Sequence, residues 1–105
     1  MEDILTAAMG LDIHRDNIVA CFVRGEAGQS LEKETRTFST LIPEMQKLRE
    51  WVMEIGCRNI AMESTGIYWI PIYEMLETCF NGEIHLHMFT LRQNFSVAVC
   101  VDAFS

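Results

Sequence analysis

Hydrophobic and polar residues alternate along the first forty positions, which predicts three consecutive strands. In the first predicted strand, 7–14, every second residue is apolar, so Asp12 belongs to the opposite face. The polar step at 15–17 predicts a turn, and the β-rich run 18–23 pairs back as a hairpin. The charged, threonine-containing segment 31–38 predicts an edge strand that closes a three-stranded meander.

Apolar residues then recur with a helical period, which predicts a helix over 41–55. Ser39 or Thr40 is expected to cap its start. Pro43 is tolerated in the first turn, because its missing N–H has no helical partner there. Gly56 is expected to end the helix in a left-handed conformation.

A second strand–helix–strand cycle follows. The short apolar strand 59–63 comes directly after a helix and is therefore expected to lie parallel to an earlier strand. A helix is predicted over about 69–79, with Pro71 in its first turn, and an alternating strand over 83–89. The residues expected to face inward on this helix are Tyr68, Ile72, Met75, Leu76 and Cys79.

The predicted order β-β-β-α-β-α-β is that of an α/β, ribonuclease-H-like fold with a mixed sheet. Residues 90–105 show neither a helical period nor a capping residue. We therefore expect one domain over 1–89, incomplete at its C-terminal end, and a divergent tail over 90–105.

The bulk properties fit a single globular domain: the chain has 105 residues and half of them are hydrophobic. No apolar run approaches the roughly 20 residues that span a bilayer, and the acidic start is unlike a signal peptide, so no membrane partner and a cytoplasmic location are expected. The cysteines are spread singly and are expected to be reduced thiols; they are Cys21, Cys57, Cys79 and Cys100.

The net charge of -7 argues against this chain alone binding a nucleic-acid backbone, because phosphate affinity comes mainly from Lys and Arg. It is compatible with a nuclease-type site. Such sites are acidic, and their phosphate contacts come from elsewhere in the molecule.

Two carboxylates are the candidate site residues. Asp12 lies in the first strand and Glu63 ends the fourth, and an unpaired charge in such apolar runs costs several kcal/mol. On neighbouring strands they converge at one sheet edge, where hard oxygen ligands suit Mg²⁺ or Mn²⁺. Two carboxylates are too few for the two ions, about 4 Å apart, that serve phosphoryl transfer. The alternatives are that Asp12 accepts backbone hydrogen bonds or pairs with Arg15, and that Glu63 is a helix-start acid.

Three histidines have both a chemical and an ordinary interpretation. His14 is a ligand or base, or a hydrogen-bonded histidine at a strand end. His85 and His87 share one side of a strand, where they either bind a metal ion together or face solvent.

Aromatic and hydroxyl side chains follow the second acid. Two interpretations apply to Tyr68, Trp69 and Tyr73: either they stack on nucleobases, or they belong to the hydrophobic core. Ser64 and Thr65 have no histidine nearby in the sequence, which argues against a nucleophile.

Two segments carry a family resemblance. Residues 9–21 and 61–73, the second containing the run Met-Glu-Ser-Thr-Gly-Ile-Tyr-Trp, resemble the amino-terminal RuvC-like domain of DEDD-type insertion-sequence transposases, which a bridge RNA guides. The resemblance covers roughly residues 8–89. It implies a ribonuclease-H-like fold in which four acids bind Mg²⁺, with Asp12 matching the first and Glu63 the second. It also implies DNA transposition and recombination by metal-dependent strand cleavage and exchange, with DNA, guide RNA and a homo-oligomer as partners.

The chain departs from this family after Phe89. The remaining two family acids lie three residues apart in a basic segment; here Asp102 is the expected remnant of the last acid, and Val99 stands three residues before it. The chain is therefore expected to be an inactive fragment by itself. The alternatives are a non-catalytic module or decoy that binds full-length transposase, and the start of an actin-like sugar kinase. The kinase predicts a Gly-rich phosphate loop where this chain has residues 13–16.

Overall fold

A computed structural model describes residues 5–26 and 32–90, which form a mixed α/β fold. The elements, in chain order, are β1 (Leu5–Ile13), β2 (Asn17–Glu26), β3 (Glu32–Ser39), α1 (Ile42–Ile55), β4 (Asn59–Ser64), α2 (Trp69–Leu76), a short 3₁₀ segment (Cys79–Gly82) and β5 (His85–Thr90). This order confirms the predicted sequence of strands and helices.

The five strands form one sheet in the order β3-β2-β1-β4-β5. The first three strands are antiparallel neighbours, whereas β4 lies parallel to β1 and β5 lies parallel to β4. Since β4 follows a helix, it reaches β1 by a crossover rather than by a hairpin. The predicted ribonuclease-H-like mixed sheet is confirmed.

One face of the sheet and both helices enclose the hydrophobic core. From β1 the core takes Met9, Leu11 and Ile13, whose side chains are fully buried. The other main contributors are Ile18, Ala20, Phe22, Phe38, Leu48, Trp51, Val52, Ile60, Met62, Ile72 and Leu76. The period-two pattern of β1 therefore assigns Asp12 to the face away from these helices.

The edge strand β3 is almost entirely exposed from Glu32 to Thr37. Its charged side chains discourage the addition of another strand. This pattern weakens the interpretation of the chain as a module that binds a partner through this edge.

Helix α1 ends as predicted but begins differently. Gly56 adopts φ 70° and closes the C-terminus, and Pro43 lies in the first turn. The expected hydroxyl cap is wrong, because Leu41 is the capping residue and has no side-chain cap bond. Thr40 Oγ1 instead donates to the carbonyl oxygen of Arg15 at 2.9 Å, and Ser39 Oγ accepts a hydrogen bond from the N–H of Leu41.

Helix α2 is shorter than the periodicity predicts, ending at Leu76 rather than near Cys79. Thr78 Oγ1 donates to the carbonyl oxygen of Met75, and Phe80 and Asn81 then take left-handed conformations, with φ near 56°, that no helix continues through. The last strand accordingly starts at His85 and not at residue 83.

Most of the inward face predicted for α2 is correct, with Tyr68 as the exception. Ile72, Leu76 and Cys79 are fully buried, while Tyr68 is 38% exposed. Tyr68 lies at the start of the helix, where the chain leaves the loop after β4.

The described cysteines are free thiols, as predicted: Cys21, Cys57 and Cys79. Burial raises the pKa of the Cys57 thiol to about 11, so it stays protonated near neutral pH. Cys100, Asp102 and Val99 lie outside the described residues. Within 5–26 and 32–90, no helix is long and apolar enough to cross a membrane.

Candidate metal centre

Asp12 and Glu63 are directly paired across two neighbouring strands. In the parallel ladder between β1 and β4, Asp12 is the register partner of Glu63, just as Leu11 is that of Met62. Paired residues of adjacent strands share a face, and the strands lie about 4.8 Å apart. Leu11 and Met62 point into the core, so the two carboxylates share the opposite face near the carboxyl ends of both strands.

The two carboxylates have different surroundings. Glu63 is only 4% exposed, and its Oε2 is buried without a hydrogen-bond partner among residues 5–26 and 32–90. Asp12 is partly exposed, and its Oδ2 lies 3.2 Å from Nε2 of His14. The orphaned oxygen of Glu63 is the unusual feature, because buried polar atoms normally have partners.

The electrostatics of the pair follow from this geometry. Burial, and then the neighbouring Asp12 carboxylate, raise the pKa of Glu63, while His14 lowers it to a smaller extent. Both main causes penalise a negative charge at Glu63. A bound cation would relieve both, since it supplies an opposite charge and a partner for the orphaned oxygen.

The chemistry of these residues therefore fits a hard divalent ion held by two carboxylates. Within residues 5–26 and 32–90, no group of three His, Cys, Asp or Glu side chains is close enough to hold a metal ion by itself. Asp102 belongs to the part of the chain that is not described. The metal role of Asp12 and Glu63 remains a prediction.

The raised pKa of Glu63 predicts how stability depends on pH. An acid whose pKa is higher in the folded state than in the unfolded state retains its proton better when folded, so stability falls as pH rises through the interval between the two values. Glu63→Gln removes this penalty. We expect the melting temperature of Glu63→Gln to exceed that of the wild type at pH 7 in EDTA, and the difference to shrink towards pH 4.

Thermal denaturation followed by circular dichroism between pH 4 and 8 measures this difference. Glu54→Gln is the matched control, because Glu54 is an exposed glutamate on α1. A Glu63→Gln advantage that does not change with pH would contradict the assignment of the penalty to the Glu63 carboxylate.

The structure does not favour the ordinary interpretations of the two acids. Arg15 pairs with Asp16 at 3.1 Å, whereas the partner of Asp12 is His14. Glu63 lies inside β4, and α2 begins only at Trp69, so Glu63 is not a helix-start residue.

The other sequence candidates resolve differently. His85 and His87 are exposed, and no three-ligand group forms around either of them among the described residues. Trp69 and Tyr73 pack against each other with ring centroids 5.7 Å apart and contact the core. Sequence reasoning weighed Ser64 only as a nucleophile and missed its burial: within the described part of the chain, its Oγ is buried and has no hydrogen-bond partner. Its place at the end of an apolar strand next to Glu63 was the available signal.

Comparisons with solved structures found several similar proteins. A resolvase from Fowlpox virus, solved with its substrate Holliday junction DNA, is similar with a TM-score of 0.62 and 9% identity, over 87% of this chain and 65% of that one. RuvC from Thermus thermophilus is similar with a TM-score of 0.52 and 11% identity, over 81% of this chain and 64% of that one. The PPX-GPPA enzyme of Aquifex aeolicus matches with a TM-score of 0.47 and 11% identity, over 83% and 36% of the two chains.

The chain spans less than two thirds of the length of each of these structures. At such low identity, RuvC and the viral resolvase establish a shared RuvC-like, ribonuclease-H-like fold. No protein-family model matches the sequence, and no curated protein matches it.

Proposed function

We propose that this chain is the amino-terminal, RuvC-like catalytic portion of a DEDD-type transposase, which cleaves and exchanges DNA strands with a divalent metal ion bound by Asp12 and Glu63. The observation that carries the proposal is the register pairing of these two acids, one of which has a buried oxygen with no hydrogen-bond partner in the described part of the chain. The shared fold with a Holliday-junction resolvase and with RuvC supports the same class of chemistry.

Each side chain of the pair has a distinct role in this proposal. Glu63, whose buried Oε2 lacks a hydrogen-bond partner among the described residues, and Asp12 would hold the ion with their carboxylates. His14, whose Nε2 lies 3.2 Å from Asp12 Oδ2, is placed to orient Asp12, as neighbours of metal ligands generally do. When bound, Mg²⁺, or Mn²⁺ in its place, polarises a phosphoryl oxygen and lowers the pKa of its bound water.

DNA and a guide RNA are the proposed partners, following the family resemblance. The net charge of -7 means that most of the cations contacting the phosphate backbone come from other parts of the assembly. The acidic composition therefore suits a catalytic portion that relies on other segments for affinity.

The isolated 105-residue chain is expected to bind Mg²⁺ weakly and not to nick DNA. The physical reason is that two carboxylates do not provide enough ligands for a two-ion phosphoryl-transfer site. Calorimetric titration with Mg²⁺ and a nicking assay on supercoiled plasmid measure the two properties separately. Robust Mg²⁺-dependent nicking that Asp12→Asn abolishes would contradict the predicted inactivity, while Mg²⁺ binding that survives Asp12→Asn would contradict the proposed site.

A further inference from the structure

A cavity of about 350 Å³ opens between the β1–β2 turn and the first turns of α1 and α2. It lies near the carboxyl ends of β1 and β4 on the helix side of the sheet, whereas the acid pair faces the opposite side. Arg15 directly follows His14 in the chain, and Ile67 and Tyr68 belong to the loop that leaves β4 after Ser64. The main wall residues are Arg15, Met45, Ile67, Tyr68, Pro71 and Ile72.

The rim of this cavity exposes large apolar side chains. Of the lining residues, Ile67 is 72% exposed and Tyr68 is 38% exposed. Leu41 and Ile42, which follow the lining residue Thr40 in the chain, are 69% and 66% exposed. A cluster of exposed apolar residues next to a cavity is typical of a binding surface. The volume is at the lower end of the range of about 300–1,000 Å³ for small-ligand pockets, so it fits one ring system and not a helix.

Arg15 contributes a positive charge to the wall of this cavity. Its guanidinium contacts the Asp16 carboxylate, but both side chains are more than two-thirds exposed, and such surface pairs contribute little and exchange readily. Both nitrogens of this pair donate to one oxygen, Asp16 Oδ2, whereas a phosphate offers the guanidinium two oxygens. Asp16 and, to a smaller extent, the nearby Tyr68 raise the pKa of Arg15, so the cation is permanently charged.

Hydrogen bonds from Thr40 hold the main chain at Arg15 and Asp16. Thr40 Oγ1 donates to the carbonyl oxygen of Arg15 at 2.9 Å, and the N–H of Thr40 donates to the carbonyl oxygen of Asp16 at 3.3 Å. The β1–β2 turn is thereby attached to the start of α1. The main chain that carries Arg15 is thus fixed beside α1 before any ligand binds.

We propose that this cavity binds an unpaired nucleobase of a single DNA strand, with the base against Tyr68 and Ile67 and its phosphate at Arg15. Every base has a flat apolar face that stacks on an aromatic ring, and exposed aliphatic side chains separate neighbouring bases. A flat apolar ring bearing an adjacent negative charge matches this wall, whereas an apolar protein side chain leaves Arg15 unused. The inference rests on the proposed function, for it gives one nucleotide of the DNA substrate a place near the carboxyl ends of the two strands that carry the acid pair.

Photo-crosslinking of the full 105-residue chain to a single-stranded oligodeoxynucleotide containing 5-iododeoxyuridine tests the proposal. EDTA is present, so that cleavage and metal binding do not enter the result. We expect mass spectrometry to locate the crosslink at Tyr68. Tyr68→Ala should weaken oligonucleotide binding about tenfold, as loss of one stacked base does. Arg15→Ala should also weaken it, and Tyr68→Phe should retain it.

Met53→Ala is the matched control, because Met53 is a comparably exposed apolar residue near the other end of α1. The proposal is overturned if the oligonucleotide does not bind, if crosslinks fall elsewhere, or if Tyr68→Ala binds as the wild type does. Crosslinking at Tyr68 together with no metal binding at Asp12 and Glu63 would support the nucleobase site and overturn the proposed function. Metal binding with crosslinks away from Tyr68 would do the reverse.

Discussion

Simultaneous replacement of Asp12 by Asn and Glu63 by Gln is expected to lower the affinity of the chain for Mn²⁺ by at least about 100-fold. Loss of a residue that only orients a metal ligand typically costs about 10- to 100-fold, and these two residues are the proposed ligands themselves. The amides retain the shape of each side chain but remove both negative charges. Isothermal titration calorimetry and the electron paramagnetic resonance signal of free Mn²⁺ provide independent measurements.

The control for this prediction is the double variant Glu50→Gln and Glu54→Gln. It removes the same two charges from the exposed face of α1 and therefore separates a local site from the general attraction of an acidic protein. Equal losses in the two double variants would show that Mn²⁺ binds diffusely. Each single amide variant should fall between the wild type and the double variant.

The acid pair should also behave differently in folding and in binding. In EDTA, Glu63→Gln should raise stability because it removes the electrostatic penalty at this position. With the metal ion present, the same variant should show a smaller rise in melting temperature than the wild type, because it binds the ion less tightly. A substitution that raises stability but weakens ligand binding is typical of a binding site whose residues destabilise the unliganded protein.

Trp51→Ala is expected to lower the free energy of unfolding by about 3–5 kcal/mol. Trp51 is 4% exposed and joins α1 to the antiparallel part of the sheet, with ring centroids 6.2 Å from Phe22 and 6.0 Å from Phe38. The guanidinium of Arg36 lies 4.3 Å from its ring centroid and adds a cation–π contact. Truncation to Ala leaves a large cavity that these rigid neighbours do not fill.

Urea denaturation followed by circular dichroism measures this loss. Met53→Ala, on the exposed side of the same helix, is expected to change stability by no more than about 0.5 kcal/mol. If Trp51→Ala does not fold, Trp51→Phe, which keeps an aromatic ring, should still show a measurable decrease. A decrease below about 1 kcal/mol for Trp51→Ala would mean that this ring does not anchor α1.

The ends of the helices show where local signals were sufficient. Gly56 stops α1 because its left-handed conformation is a property of glycine that requires no partner. The start of α1 was not predictable in the same way, because Thr40 has a choice of acceptors. Its hydroxyl bonds the carbonyl of Arg15, a residue 25 positions earlier in the chain, and no local pattern records that neighbour.

The same contrast applies to the aromatic residues after the second acid. Their helical spacing correctly predicted that Trp69 and Tyr73 contact the core. Tyr68 is exposed because the loop after β4 carries it past the end of the core and beside Arg15. The cavity depends on three chain segments that are far apart in sequence, so only their packing reveals it.

The sequence by itself determined the strands, the helices, and the face of β1 on which Asp12 lies, because these follow from local periodicity. The tertiary structure alone decided that Asp12 stands opposite Glu63, since the register of a parallel pair is set by long-range packing. Met9 and Leu11 bury their side chains in the same layer as Ile60 and Met62. A shift of the β1–β4 pairing by one residue would turn the apolar side chains of one strand to the opposite face of the sheet. Core packing therefore aligned the two acids, although neither contributes to the core.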